Sequence, residues 1–531
     1  MKKHLLVIII LSLTALWPFF KKGYFDSHDG EWMVIRFSAF HQTLAGGQFP
    51  VRFVERLNNN YGYPVLNFLY PLPFYLAEIP KVLGFNFVDS IKITFIFSTV
   101  LSVVAMFWAL SQFFSRYASL AGSIVYLFIP YRFVDLYIRG SIGENVAFAI
   151  APIILGSIFK ILKNQKEFLP ILSISIALLV ISHNVIAILF LPLFFLLSIL
   201  LIKKDIFKIV IAFVVGFLMS SFFWLPALYD LQFVKLSQVK VSNVSDHLSS
   251  VEKLIIPGWG FGQTPQQENG LPTQFGVISL VVFIASTFLF LTSKNKEKII
   301  GILLIVYVTI FYLMTNYALV FWQIPHVDII QFPWRLLSLI VFISSLLTAF
   351  FVDSMKKNKL IIAIFLILAG VFSTIAYTHP SKFVDRDDGF YSTNEDTTTA
   401  RDEYLPLWVE EKPQKRANWK IEIEGNGEII SSEIRSTNYK ADIKAHEAVK
   451  VMINAIYFPG WHAFIDNQKT NISFQDNPKG LMLFKLPKGN HKVIIKYGKT
   501  PVHLVSEIAS LIALVGAGGY FFILWRKRIV K

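Results

Sequence analysis

The sequence contains no cysteine. That excludes a disulfide framework, a thiolate metal site and a cysteine nucleophile. Charge is also scarce: Asp, Glu, Lys and Arg together make up 16% of the chain, where a soluble protein carries about 25%. Acidic residues are the rarer sign, 35 against 50 basic. No Gly-x-x-x-x-Gly-Lys loop occurs, so no phosphate-cradling nucleotide motif is present. The 531 residues are instead 54% apolar, with 51 Phe and a mean hydropathy of +0.55. These values exclude a disordered chain, a coiled coil and an ordinary cytosolic enzyme, and they mark a polytopic α-helical membrane protein.

Apolar runs long enough to cross a hydrocarbon core recur near 4–20, 92–112, 117–131, 145–161, 168–183, 185–202, 207–225, 275–292, 299–316, 334–352, 360–377 and 503–525. The expectation is about twelve spans. The first run ends in Trp17-Pro18-Phe19-Phe20, with no small-x-small cleavage site, so an uncleaved anchor is expected. The Gly516-Ala517-Gly518-Gly519 run lies inside the last span and reads as helix packing.

Basic residues set the orientation. With the N-terminus in the cytoplasm, the cytoplasmic segments hold 19 basic residues, Lys203, Lys204, Lys296 and Lys531 among them. They hold four acids: Glu167, Asp205, Glu297 and Asp353. That surplus equals the whole net charge of +15. The high pI is therefore a topology signal, and no nucleic-acid partner is expected, because no basic stripe interleaves with aromatics on a folded domain. Both termini are expected in the cytoplasm of a bacterial plasma membrane, and the long loops, 21–91, 132–144, 226–274, 317–333 and 378–502, outside it.

The chain accordingly divides into a transmembrane domain (residues 1–377) with a chemistry-bearing first loop 21–91, an external region 378–502, and a last span with a basic tail, 503–531. The external region holds 18 basic and 17 acidic residues, so it is nearly neutral. From about Trp419 it alternates in seven short runs punctuated by turn residues, which predicts a small β-sandwich. Trp461 is expected to fill its core. The polar stretch 380–415 shows no period and reads as a linker or as a cover over the membrane site.

The first loop carries Asp26-Ser27-His28-Asp29-Gly30-Glu31, followed by Arg36 and Arg52. Three carboxylates within six residues raise one another's pKa. They can serve as a general base or hold a divalent cation, Mg or Mn. The same residues also cap helices well, and a helix lying at the interface is expected over Trp32–Leu44. Arg139, Glu144, His183 and Arg335 stand at span ends facing one side. Charges at membrane depth face a cavity or a partner. Four together predict a shared anion site, for which the arginine fork suits phosphate.

Several ordered pieces carry a family likeness. They are Ser27-His28-Asp29 with Arg36, Gln48-Phe49-Pro50-x-Arg52, Tyr61-Gly62-Tyr63-Pro64, Tyr70-Pro71-Leu72-Pro73-Phe74-Tyr75, Arg139-Gly140 with Glu144, Ser182-His183, Gln331-Phe332-Pro333-Trp334-Arg335, and Tyr457-Phe458-Pro459-Gly460-Trp461-His462. With them the chain resembles GT-C superfamily membrane glycosyltransferases, and within these the group called 6-pyruvoyl-tetrahydropterin synthase-related membrane proteins, akin to YfhO-type proteins. It departs from that pattern at Ser27, where a Gly is common, and at Met33, where many relatives carry a second His. The pterin name finds no echo in a His-rich zinc constellation here.

The resemblance implies a transferase that takes a sugar from a polyprenyl-phosphate-linked donor to an envelope glycan, lipid or protein. By that likeness Asp29 is the catalytic base, with Asp26 or Glu31 as second choice. His28, Arg36, Arg52, Arg139, Glu144, His183 and Arg335 would bind substrate or lipid phosphate. Some superfamily members use a divalent ion, for which Asp29 and Glu31 could supply ligands. A transporter or flippase of lipid-linked saccharides and a non-catalytic assembly protein are the alternatives.

Overall fold

The computed structural model describes residues 2–202, 205–240, 242–294 and 297–529. Lys203, Lys204, Lys296 and Lys531, assigned above to the basic face, lie outside the described residues. Each of the twelve expected apolar runs coincides with a helix. Among the described residues, six helices are long and apolar enough to cross a membrane: Phe87–Leu110, Ile142–Leu162, Asn184–Leu201, Pro333–Ser354, Lys359–Tyr377 and Pro501–Leu524. Two bent pairs bring this to as many as eight. Phe168–Ser182, Val277–Thr292 and Lys298–Leu313 are shorter, as is Lys2–Ala15. At about 1.5 Å rise per residue they fall short of a 30 Å core.

The bent pairs correct two expectations. The span near 117–131 breaks after Leu127 and resumes as Pro130–Arg139 at 48°. Pro130 has no N–H to continue the helix but suits the first turn of a new one. Residues 132–139, expected in an open loop, are therefore helical, and Phe133, Leu136, Tyr137 and Ile138 are all buried. The span near 207–225 is likewise two pieces, Ile206–Met219 and Ser221–Phe233, bent by 65°.

The basic loops meet at one end of the helical body. Asp353 accepts from the Ser115 amide at 3.1 Å and pairs with Lys359 at 2.9 Å. Lys166 stands 3.8 Å from Asp205.

The other end carries the β-sheet region. Eight strands form a sandwich: β3 Ile421–Glu424, β4 Gly427–Arg435, β5 Asn438–Ala445, β6 Val449–Ile456, β7 Trp461–Ile465, β8 Gln468–Thr470, β9 Leu481–Leu486 and β10 Gly489–Tyr497. The sheet orders are β4-β5-β10-β7-β8 and β3-β6-β9. Seven strands were expected; the short β8 was not among them. Alternate residues of both sheets, among them Tyr439, Ile443, Val451, Phe484 and Ile495, fill one core. Trp461 is 2% exposed within it, as expected.

Phe53 of the first loop enters the same core, with its ring 5.4 Å from Trp461 and 5.3 Å from Tyr497. Lys420 pairs with Glu55 at 3.0 Å beside it. The sandwich is thus seated on the first loop.

The polar stretch after residue 380 is a cover. Its strand β2, Phe383–Val384, pairs antiparallel with β1, Tyr24–Phe25. A short helix, Asp388–Thr393, follows. The expected interfacial helix exists as Gly30–Ala45, but this cover closes over it, and Met33 through Phe40 are buried.

Candidate active site

The helix Gly30–Ala45 begins at Asp29, and its capping bond comes from a neighbour: the Gly30 amide donates to Ser27 Oγ at 3.2 Å. Asp29 sits at the cap position without bonding to the helix through its side chain. Its half-buried carboxylate makes no hydrogen bond or ion pair with any described residue. Two backbone bonds fix this segment. The His28 amide donates to the Ile138 carbonyl and the Asp29 amide to the Arg139 carbonyl, both at 2.8 Å. The contact is this close because Gly140 adopts φ +65° and has no Cβ; one there would lie 2.7 Å from Ser27 Oγ and 2.8 Å from Gly30.

Behind that turn lies a buried ionic cluster. Arg139 Nη1 donates to Glu144 Oε1 at 2.6 Å and to Asp135 Oδ1 at 3.0 Å. The Tyr131 hydroxyl donates to Glu144 Oε2 at 2.9 Å. Arg335 Nε stands 3.7 Å and His183 Nε2 3.8 Å from Glu144 Oε1. The Arg139 guanidinium lies over the Trp334 ring at 4.5 Å. Four of the residues expected to share an anion site, Arg139, Glu144, His183 and Arg335, therefore converge, with His28 and Asp29 alongside.

Their free valences differ. Arg139 is engaged by two carboxylates. Arg335 Nη1 binds the Gln331 side chain at 2.8 Å and the Ile330 carbonyl at 3.1 Å, but its buried Nε has no hydrogen-bond acceptor among the described residues. His183 Nδ1 accepts from the Ile186 amide at 3.3 Å, capping the next helix. Glu144, fully buried, is the counter-ion that holds the arginines. Burial pushes the His28 imidazole below its usual range, so it is neutral near pH 7. Its Nε2 lies 3.3 Å from the Phe261 carbonyl.

The remaining expected residues are placed apart from this cluster. Asp26 is half exposed and faces Lys382 of the cover at 3.5 Å. Glu31 accepts from the Tyr391 hydroxyl at 3.0 Å and pairs with Arg386 at 3.4 Å. Arg36 donates through Nε to Thr398 Oγ1 at 2.8 Å. Arg52 belongs to a separate buried network with Asn67 at 3.2 Å and Glu507 at 3.3 Å. Among the described residues no three acidic or histidine side chains converge to hold a metal ion.

Sequence reasoning misses Tyr131, placed at the end of the span 117–131, and Arg132 and Asp135, placed in the loop 132–144. Three ionisable residues within an otherwise apolar run were the available signal. It also missed His247, whose Nδ1 accepts from Trp334 Nε1 at 3.3 Å. Burial pushes that imidazole down to about 4.

The fold and the site define a polytopic helical membrane protein with a buried arginine–carboxylate cluster beneath an extramembrane cover. Residues 66–380 match the 6-pyruvoyl-tetrahydropterin synthase related domain, a membrane protein family, and the chain belongs to that family. No curated protein matches the chain significantly. Among solved structures, the arabinofuranosyltransferase AftD from Mycobacteria is similar at 14% identity and a TM-score of 0.49, over 73% of this chain and 29% of that one. The Archaeoglobus fulgidus oligosaccharyltransferase is similar at 13% and 0.40, over 73% and 56%. ArnT from Cupriavidus metallidurans, bound to undecaprenyl phosphate, is similar at 11% and 0.41, over 66% and 60%. The chain spans less than two thirds of each of these. Likeness at this level carries nothing about the reaction.

Proposed function

We propose that the protein is a membrane glycosyltransferase that takes a sugar from a polyprenyl-phosphate-linked donor. One observation carries this reading: the half-buried Asp29 carboxylate makes no hydrogen bond or ion pair among the described residues, yet its backbone is bonded to Arg139 of the buried cluster. A helix-capping or structural Asp would be engaged, whereas a base must keep its lone pairs for substrate. The sequence resemblance described above points to the same residue.

In this reading Asp29 takes the proton from an acceptor hydroxyl or amine. The acceptor oxygen or nitrogen bonds to the anomeric carbon as the bond from that carbon to the phosphate oxygen breaks. The electron pair leaves on the polyprenyl phosphate, with inversion at carbon. Arg335, held 3.7 Å from Glu144 through its Nε, places positive charge near the departing phosphate in a water-poor setting, where such charge acts strongly. Glu144 bears no phosphate; it fixes Arg139 and Arg335 and offsets their burial. No step is routed through a metal ion. The long apolar helices are then the crossings, with the basic loops cytoplasmic in a plasma membrane and the site outside.

The test compares envelope glycans and polyprenyl-phosphate sugars in the native host for wild type, a deletion, and Asp29→Asn at matched membrane abundance. Loss of one sugar modification in both mutants, with accumulation of its lipid-linked donor, is expected. A deletion phenotype that Asp29→Asn does not share would overturn the reading in favour of transport or scaffolding.

A further inference from the structure

The loop 259–270 closes on itself. The Gly262 amide donates to the Asn269 carbonyl at 2.9 Å and the Leu271 amide to the Thr264 carbonyl at 3.1 Å. Gln267 Oε1 accepts from the Gln263 amide at 2.8 Å. The two arms of this loop lie so close that a Cβ on Gly260 would fall 2.3 Å from the Asn269 carbonyl oxygen. Chain built this tightly around itself holds its shape without a ligand.

It borders a shallow, solvent-open cleft of about 430 Å³ lined by Trp259, Phe261, Glu268 and Asn269. Trp259 is braced by Tyr377, stacked at 4.6 Å and 9°. Its Nε1 is buried and has no hydrogen-bond acceptor among the described residues, a cost that calls for an explanation. The exposed Glu268 and Asn269 side chains bond to no described residue. A fixed indole face with a carboxylate and an amide beside it suits a sugar ring. The C–H face of a pyranose or furanose packs on the aromatic ring, while the hydroxyls bond to the polar groups.

The cleft also adjoins the base. His28 touches the loop through the Phe261 carbonyl at 3.3 Å, and its amide bonds to the Ile138 carbonyl, next to Arg139, at 2.8 Å. The indole of Trp461, in contrast, is closed inside the sandwich. We infer that this cleft is a saccharide subsite that holds the acceptor, so that the acceptor is a glycan or a glycosylated molecule. This inference rests on the transferase reading for its role, not for its binding. The same chemistry would also fit a sugar of the donor. The loop meets the base segment at the His28 side chain, whereas the Arg139 carbonyl meets it at the Asp29 amide, which favours the acceptor.

Binding is measured by saturation-transfer NMR on the full chain in nanodiscs. The probes are free disaccharides of hexose, N-acetylhexosamine and pentose, and separately a polyprenyl-phosphate monosaccharide. Wild type is expected to bind at least one free disaccharide. Trp259→Ala should weaken this at least tenfold, Trp259→Phe and Glu268→Gln less, and Asp29→Asn not at all. Lipid-linked sugar binding should be unchanged in Glu268→Gln. No saturation transfer to any free disaccharide, or equal binding in wild type, Trp259→Ala and Glu268→Gln, overturns the subsite. Loss of only the lipid-linked sugar in these variants reassigns the cleft to the donor and overturns the acceptor role. Asp29→Asn that still transfers sugar, with binding lost in Trp259→Ala, sinks the transferase reading and leaves the subsite standing.

Discussion

The backbone amide of Asp29 donates to the carbonyl of Arg139 at 2.8 Å, which ties the candidate base to the segment that carries the buried arginine. If the base works where this bond holds it, Asn at position 29 keeps the fold and loses the chemistry. General-base removal costs about 10²–10⁴-fold in rate. We expect Asp29→Asn to insert and melt like wild type while sugar transfer falls by at least about a hundredfold, checked by transfer from a defined lipid-linked donor pool.

Gly140 allows that contact without contributing a side chain to it. A Cβ at φ +65° would be strained and would press on Gly30 and Ser27. Gly140→Ala is therefore expected to lower transfer by pushing the first loop away from Arg139. The loss should resemble that of Asp29→Asn in kind, although no ionisable group changes. Full activity in Gly140→Ala would show that the spacing is not needed.

Glu144 balances two arginines. Removing one partner of a buried ion pair costs about 3–5 kcal/mol, because the other charge is left uncompensated. Glu144→Ala should lower the melting temperature markedly, and Glu144→Gln less. Arg139→Met combined with Glu144→Leu should not recover that stability, because buried Asp135 and Arg335 each lose a partner. Thermal unfolding in detergent checks each variant.

His247 sets a pH dependence. Its imidazole, lowered to about 4 chiefly by burial, is neutral when folded and accepts from Trp334. An unfolded His titrates near 6.5. Its contribution to stability is therefore complete above about pH 6.5 and is lost as pH falls from there toward 4. Buried His28 shifts the same way. The melting temperature should fall over this window, and His247→Gln should flatten the fall.

Much of this architecture was already written along the chain. Long apolar runs must become helices in a membrane, because no water is there to satisfy the backbone. The surplus of Lys and Arg marked the loops that the structure gathers at one end. Strict alternation from Trp419 marked the strands, since a side chain on every second residue must face a core. Arg139, Glu144, His183 and Arg335 could be grouped because each ends a span on the same side, and ionisable groups at such depth need partners.

Other features depended on contacts between distant residues. Nothing local distinguishes Asp29, whose carboxylate stays free, from Glu31, which Tyr391 engages 360 residues away. Arg52 looked equivalent to Arg335, yet Asn67 and Glu507 hold it in another network. The helix 130–139 was hidden because its apolar run resumes after a proline break and carries charges that pair only across the fold. Trp259 became a braced platform only through Tyr377. Periodicity and composition fix which segments leave water, because burial is a property of each residue's own surface. Which polar groups pair, and which are left free to meet a substrate, depends on partners that only the folded chain brings within hydrogen-bonding distance.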